Sequence, residues 1–138
     1  MTKTLNFATI SGSLRKGSYS TSVAETLQEL VPDGVTVTRY DIADIPLYNE
    51  DIKDGDTAPE PVRDLAGKLA AADAIIVVSP EYNRGTPGVL KNHRGWHSKY
   101  LGENHLAQVV DKTLYLPLFH GKRCRARRSI KSARYRKK

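Results

Sequence analysis

The amino-acid sequence predicts an α/β fold, a doubly wound parallel sheet built on a β-α-β-α-β core. Three observations carry this expectation. Strand-like and helix-like segments alternate from the N-terminus to residue 92, an order that favours parallel pairing through right-handed crossovers. The run "AIIVV", Ala74 to Val78, is apolar throughout and of strand length, which fits a strand covered on both faces. Polar loops rich in turn formers follow the first and third strand-like segments, where α/β sheets place their ligands.

Each element has its own signal. "TLNFATI", Thr4 to Ile10, is short, apolar and β-prone, and it runs into the Gly/Ser-rich "SGSLRKGSYS". Ser22 and Glu25 have capping-box spacing, and Val23, Ala24, Leu27, Leu30 and Val31 form an apolar stripe at helical period. Pro32-Asp33-Gly34 ends that helix. "VTVTRY", Val35 to Tyr40, alternates and is β-branched, which predicts a second strand. Asp41 to Pro59 shows neither period, and a connection of that length serves as a candidate rim of a binding site. Pro61 suits a first helical turn, with Val62, Leu65, Ala66 and Leu69 as the buried stripe of a second helix ending near Ala72.

The 138 residues suit one domain, which at this size buries roughly two thirds of its unfolded surface. The net charge of +7 is distributed unevenly. Residues 1–92 hold nine Lys/Arg against thirteen Asp/Glu, and residues 93–138 hold thirteen against two. All four histidines, the single cysteine Cys124 and the single tryptophan Trp96 also lie in the second part. One cysteine excludes an internal disulfide, and with no CxxC partner it does not suit a cysteine-based metal site. There is no apolar run of 18 residues and no signal-peptide pattern in "MTKTLNFATIS", so the expectation is a cytoplasmic protein with no membrane segment.

The loop "SGSLRKGSYS" offers hydroxyls at Ser11, Ser13, Ser18 and Ser20, a guanidinium at Arg15, and the N–H groups of the following helix start. Together these suit a phosphate. It has neither the GxxxxGK[ST] nor the GxGxxG pattern, and taken alone it reads equally well as a solvated turn. In "PEYNRGTPG", Pro80 and Pro87 stiffen the backbone, Gly85 and Gly88 permit close approach, and Tyr82 and Asn83 supply a ring and an amide. A planar heteroaromatic ligand with its phosphate in the first loop could rest on the second.

"GSLRKGSYS", "DIADIPLYNED" and "SPEYNRGTPGVLKN", in that order and spacing, resemble the NADPH-dependent FMN reductase family, which includes quinone, chromate and azo-dye reductases of flavodoxin-like fold. The resemblance covers Lys3 to Asn92. It implies an NAD(P)H-dependent oxidoreductase that passes electrons through FMN to quinones, flavins or similar small-molecule acceptors. It further implies FMN-binding positions at Ser11, Ser13, Leu14, Arg15, Lys16, Gly17, Ser18, Tyr19 and Ser20, and at Pro80, Glu81, Tyr82, Asn83 and Arg84. Ser13, Arg15, Ser18 and Ser20 correspond to the phosphate ligands, and the flavin itself supplies the redox chemistry. No protein acid, base or metal ligand is implied. Members of the family are commonly dimers or tetramers, which implies a homo-oligomer.

From His93 the motifs give way to a divergent basic segment, residues 93–138. "TLYLPLF", Thr113 to Phe119, has strand-like residues, but Pro117 suits an edge better than a centre. Strands four and five are therefore doubtful on sequence grounds. Without a fourth strand the third would be an exposed edge, and flavin retention would be weak. Residues 121–138 hold ten Lys/Arg and no acid, which predicts disorder in isolation. Three readings of this part compete: a polyanion-binding arm, including a nucleic-acid-binding function through the tail; a solvated tail; and the product of a frameshift that leaves an inactive remnant. The last is favoured because composition, charge and motif continuity break at one place.

Overall fold

The computed structural model describes residues 4–52, 57–100 and 113–118. The element order is β1 (Leu5–Ser11), α1 (Tyr19–Leu30), β2 (Val35–Tyr40), α2 (Glu60–Ala71), β3 (Ala74–Pro80), α3 (Gly88–Tyr100) and β4 (Thr113–Leu118), with a short 3-10 turn at Glu50–Ile52 before α2. The strands form one parallel sheet in the order β2-β1-β3-β4. The chain moves outward from β1 to β2 and then crosses to β3 on the other side, so the topological switch lies between β1 and β3. Ligands of open α/β sheets sit at the carboxyl ends of strands at such a point.

Register fixes which side chains share a face. Ala8 and Ile10 of β1 and Ile75 and Val77 of β3 point to the side covered by α2 and α3, where they join Ile42, Leu65, Leu69, Ala72 and Leu90 in the main core. The sequence reading of α2 holds in detail: Val62, Leu65, Ala66 and Leu69 are its buried residues, Pro61 lies in its first turn and Ala72 is its C-cap. Burying each of the larger aliphatic side chains contributes at most about 1.5–3 kcal/mol.

The helix on the opposite face departs from expectation. α1 begins at Tyr19 with Ser18 as N-cap, four residues before the N-cap suggested by Ser22 and Glu25. The Ser22 hydroxyl donates back to the Ser18 carbonyl at 3.2 Å, and Glu25 faces Arg39 across to β2 at 3.5 Å, so neither forms a capping box. Of the five residues in the expected apolar stripe only Ala24 is buried, and Leu30 is 71% exposed. Periodicity located the helix, but it could not say how much sheet lies beneath each turn. The helix stops at Pro32-Asp33-Gly34 as expected, with Val31 as C-cap and Gly34 at φ +84°.

The fourth strand, doubtful in the sequence, is present. β4 pairs in parallel with β3 from Ile75–Thr113 to Pro80–Leu118, which makes β3 an interior strand and removes the expected exposed edge. Pro117 sits opposite Ser79 in the outermost strand of the described sheet, where a residue that cannot donate a ladder hydrogen bond is tolerated. A fifth strand is not found among the described residues. The expected disorder of 121–138 and the segment following β4 lie outside them. Among the described residues, no helix is long and apolar enough to cross a membrane.

Candidate functional site

The loops after β1 and β3 meet over the switch point. Gly12 N–H donates to Val78 O at 2.7 Å, which carries the β1–β3 ladder one residue past the strand. A Cβ on Gly12 would stand 2.9 Å from Ser79 Oγ, 3.2 Å from Ser79 Cα and 3.2 Å from Leu90 Cδ2. Only glycine lets the first loop lie this close to the end of β3 and the start of α3.

Beyond Gly12 the loop is folded on its own hydroxyls. Ser11 Oγ lies 2.9 Å from Thr21 Oγ1 and accepts the Ser13 N–H at 3.3 Å, so Ser11 shapes the loop from within. Ser13 Oγ accepts the Arg15 N–H at 3.3 Å and lies 3.4 Å from the Tyr82 hydroxyl. That contact joins the two loops that sequence reasoning had singled out. Arg15 Nη2 donates to Gly17 O at 2.8 Å, and Gly17 has φ +67°, which allows the loop to turn back toward α1. Ser18 and Ser20 are buried at the start of α1, and the Ser18 side chain makes no capping bond. Leu14, Arg15, Lys16, Gly17 and Tyr19 are exposed around this floor of hydroxyls.

In the second loop Pro80 ends β3 and Glu81 is half-buried. Tyr82 through Gly85 form a tight two-residue hairpin: Tyr82 N–H donates to Gly85 O at 3.1 Å and Gly85 N–H to Tyr82 O at 3.0 Å. Its central residues, Asn83 and Arg84, have φ of 51° and 61°, as this kind of turn requires. The Tyr82 side chain is half exposed and stands beside Ser13.

Two features of α3 escaped sequence reasoning. Asn92 accepts the Tyr48 N–H at 2.8 Å and donates to Pro46 O at 2.8 Å, while Trp96 Nε1 donates to the same carbonyl at 2.7 Å. The Trp96 and Tyr48 rings meet edge to face with centroids 5.1 Å apart. The expected rim, Asp41 to Pro59, is thus tied down at residues 45–48. The "LKN" motif was the available signal, but an amide names no partner in sequence. His93 and His97, one turn apart, are also buried, with ring centroids 4.2 Å apart at 85°. Burial, then the neighbouring His97 and Arg94, pushes His93 down to about 3. Burial pushes His97 down to about 4, and its Nδ1 has no partner among the described residues.

Two cavities of about 210 and 250 Å3 lie against α2, sharing Tyr40 and Lys68, and neither includes any residue of the loops at 11–20 and 80–87. The strand-end loops, with their convergent hydroxyls and backbone groups, remain the better chemical candidate. Among the described residues, no group of three or more His, Cys, Asp or Glu side chains could hold a metal ion.

The fold and loops match known proteins. The family profile for NADPH-dependent FMN reductase matches residues 5–130. A quinone reductase of Escherichia coli is 39% identical over 127 residues, covering 90% of this chain and 67% of that protein. An NAD(P)H-dependent FMN reductase of Pseudomonas aeruginosa is 43% identical over 90 residues, covering 65% of this chain and 48% of that protein. This chain therefore spans about two thirds of the length of the first relative and about half that of the second. Among solved structures, the flavoenzyme NAD(P)H:(acceptor) oxidoreductase FerB of Paracoccus denitrificans superposes with a TM-score of 0.62 at 27% identity, covering 81% of this chain and 75% of that one. The likeness continues past Asn92, beyond the span that carries the sequence motifs. The chain belongs to the NADPH-dependent FMN reductase family, and so to the NAD(P)H-dependent flavin oxidoreductases.

Proposed function

We propose that this chain binds FMN across the loops after β1 and β3 and passes electrons from NAD(P)H to a small-molecule acceptor such as a quinone. The observation that carries the reading is the contact of Ser13 with Tyr82, which brings a hydroxyl-lined loop and a ring-bearing hairpin together at the switch point. The residues present fit the cofactor. The Ser13 and Ser18 hydroxyls and the N-terminus of α1 suit a phosphate, to which Arg15 adds a charge once it swings from Gly17 O. Ser11 and Ser20 support the loop more than they face a ligand, since one is bonded to Thr21 and the other is only 2% exposed.

Bound FMN would supply the redox chemistry, taking a hydride from the nicotinamide and passing electrons on. The chain's own part is to hold, orient and shield. The Pro80–Asn83 backbone offers a rigid shelf fixed by the Tyr82–Gly85 pair, and Gly12 keeps that shelf close to the phosphate loop. The Asn92 and Trp96 bonds to Pro46 fix the β2–α2 loop on the same helix that carries the hairpin's exit.

FMN titration followed by flavin fluorescence tests the reading. Saturable binding is expected, and it is lost when Ser13→Ala and Arg15→Ala are combined. A wild-type chain that shows no saturable FMN binding overturns the proposal. The competing reading, a polyanion-binding tail, rests on the basic residues of 121–138, and nothing among the described residues favours it.

A further inference from the structure

The hairpin carrying Tyr82 is tipped by an arginine in a backbone conformation that arginine rarely adopts. Asn83 and Arg84 both lie in the left-handed region, at φ 51° and 61°. Asparagine tolerates that region because its short side chain bonds locally, and glycine has no Cβ to clash. The favoured pair for a hairpin with two positive φ values is Asn-Gly. Here the glycine comes one place later, at Gly85, and Arg84 occupies the strained site. The Tyr82–Gly85 hydrogen bonds enforce the turn, so a long cation is kept where glycine would fit without strain. Strain held by its surroundings points toward a role for the side chain.

The charges nearby point the same way. Arg84 is exposed and has no acidic partner among the described residues, whereas Arg39 pairs with Glu25 and Asp41, and Lys68 with Asp64. In the loops at 11–20 and 80–87 the charged residues are Arg15, Lys16, Arg84 and a single acid, Glu81. Arg15 is turned onto Gly17 O, and the hairpin bearing Arg84 leans on the same loop through Tyr82 and Ser13. An unpaired guanidinium at such a mouth binds phosphate, sulfonate or carboxylate through charge-assisted hydrogen bonds.

We propose that Arg84, which the family resemblance counts among the FMN-binding positions, is instead a specificity-determining residue that selects substrates carrying an oxyanion, acting on the electron donor or acceptor and not on FMN. The inference rests on the functional reading above. The oxyanion could be the extra phosphate that distinguishes NADPH from NADH, or an acidic group on the acceptor.

The test is steady-state kinetics on the full FMN-loaded chain with Arg84→Asn, which removes the charge and tolerates the positive φ, and Arg84→Lys, which keeps the charge. NADPH is compared with NADH using an uncharged benzoquinone, and a sulfonated quinone is compared with that benzoquinone using NADH. Arg84→Asn should raise KM for the oxyanion-bearing substrate about three- to tenfold relative to its counterpart, with kcat little changed. Arg84→Lys should restore part of the preference, and the wild-type preference should shrink with added salt. A change confined to the donor comparison identifies the phosphate; one confined to the acceptor comparison identifies the acidic acceptor. Unchanged ratios in both comparisons overturn the proposal, as does loss of FMN in Arg84→Asn, which would make Arg84 a cofactor ligand. A wild-type chain that cannot load FMN instead overturns the functional reading beneath it.

Discussion

Trp96 Nε1 and Pro46 O are joined by a hydrogen bond of 2.7 Å, although fifty residues separate them in the chain. Asn92 Nδ2, one turn earlier on α3, donates to the same carbonyl at 2.8 Å, so both lone pairs of Pro46 O are used. Asn92 Oδ1 meanwhile accepts the Tyr48 N–H. One helix face thereby fixes a loop that has no regular structure of its own at this point.

Replacing Asn92 should therefore loosen the loop after β2. Asn92→Ala strands the Tyr48 N–H and removes one donor from Pro46 O, at a cost of about 1–3 kcal/mol. The expected result is a lower urea midpoint with an unchanged slope, together with faster proteolysis between residues 41 and 52. A midpoint equal to wild type would show that the clamp does not hold the loop.

Gly12→Ala probes the seam between the two loops. Its Cβ would collide with Ser79 and Leu90, and overpacking of this kind costs about 1–3 kcal/mol. The first loop would have to lift from β3, so FMN affinity should fall alongside stability. An alanine variant that binds FMN as tightly as wild type would contradict the packing seen at Ser79.

Acid should destabilise the fold through its buried histidines. In the folded chain His93 titrates at about 3 and His97 at about 4, both below the ordinary 6.5 of the unfolded chain. Between those limits the unfolded chain holds more protons. Stability is therefore undiminished by these groups above pH 6.5 and falls as the pH drops toward 4 and then 3. The slope is at most about 1.4 kcal/mol per pH unit for each histidine. Urea midpoints at pH 8, 6, 5 and 4.5 trace the loss. His97→Leu, which also removes a buried Nδ1 without a partner among the described residues, should make the acid limb shallower.

Arg84→Gly should raise stability. Glycine adopts the positive φ without the Cβ clash, worth about 1 kcal/mol, less the extra freedom that glycine gains in the unfolded chain. Thermal denaturation is the measurement, and a lower Tm would mean that the Arg84 side chain makes stabilising contacts of its own.

Much of the architecture was legible because it follows from local patterns. The alternation of Val35–Tyr40, the stripe Val62, Leu65, Ala66 and Leu69, and the run Ala74–Val78 each depend on neighbours in sequence, and each formed as read. The start of α1 was misplaced because Ser22–Glu25 fits a capping pattern that competes with the true N-cap, Ser18. The fourth strand was obscured because Pro117 weakens its propensity, and pairing with Ile75–Pro80 overrides that weakness.

The sequence by itself determined the alternating α/β order, the placement of two polar loops after apolar strands, and the motifs that mark the family. These are matters of periodicity and of residue type at fixed spacing. Only the tertiary structure decided that Ser13 touches Tyr82, that Gly12 must lack a Cβ, that Asn92 and Trp96 share one carbonyl, and that Arg84 stands on a strained turn with no acidic partner among the described residues. Each of these depends on distances between segments far apart in the chain, which are set by the β1–β3 pairing and the packing of α3.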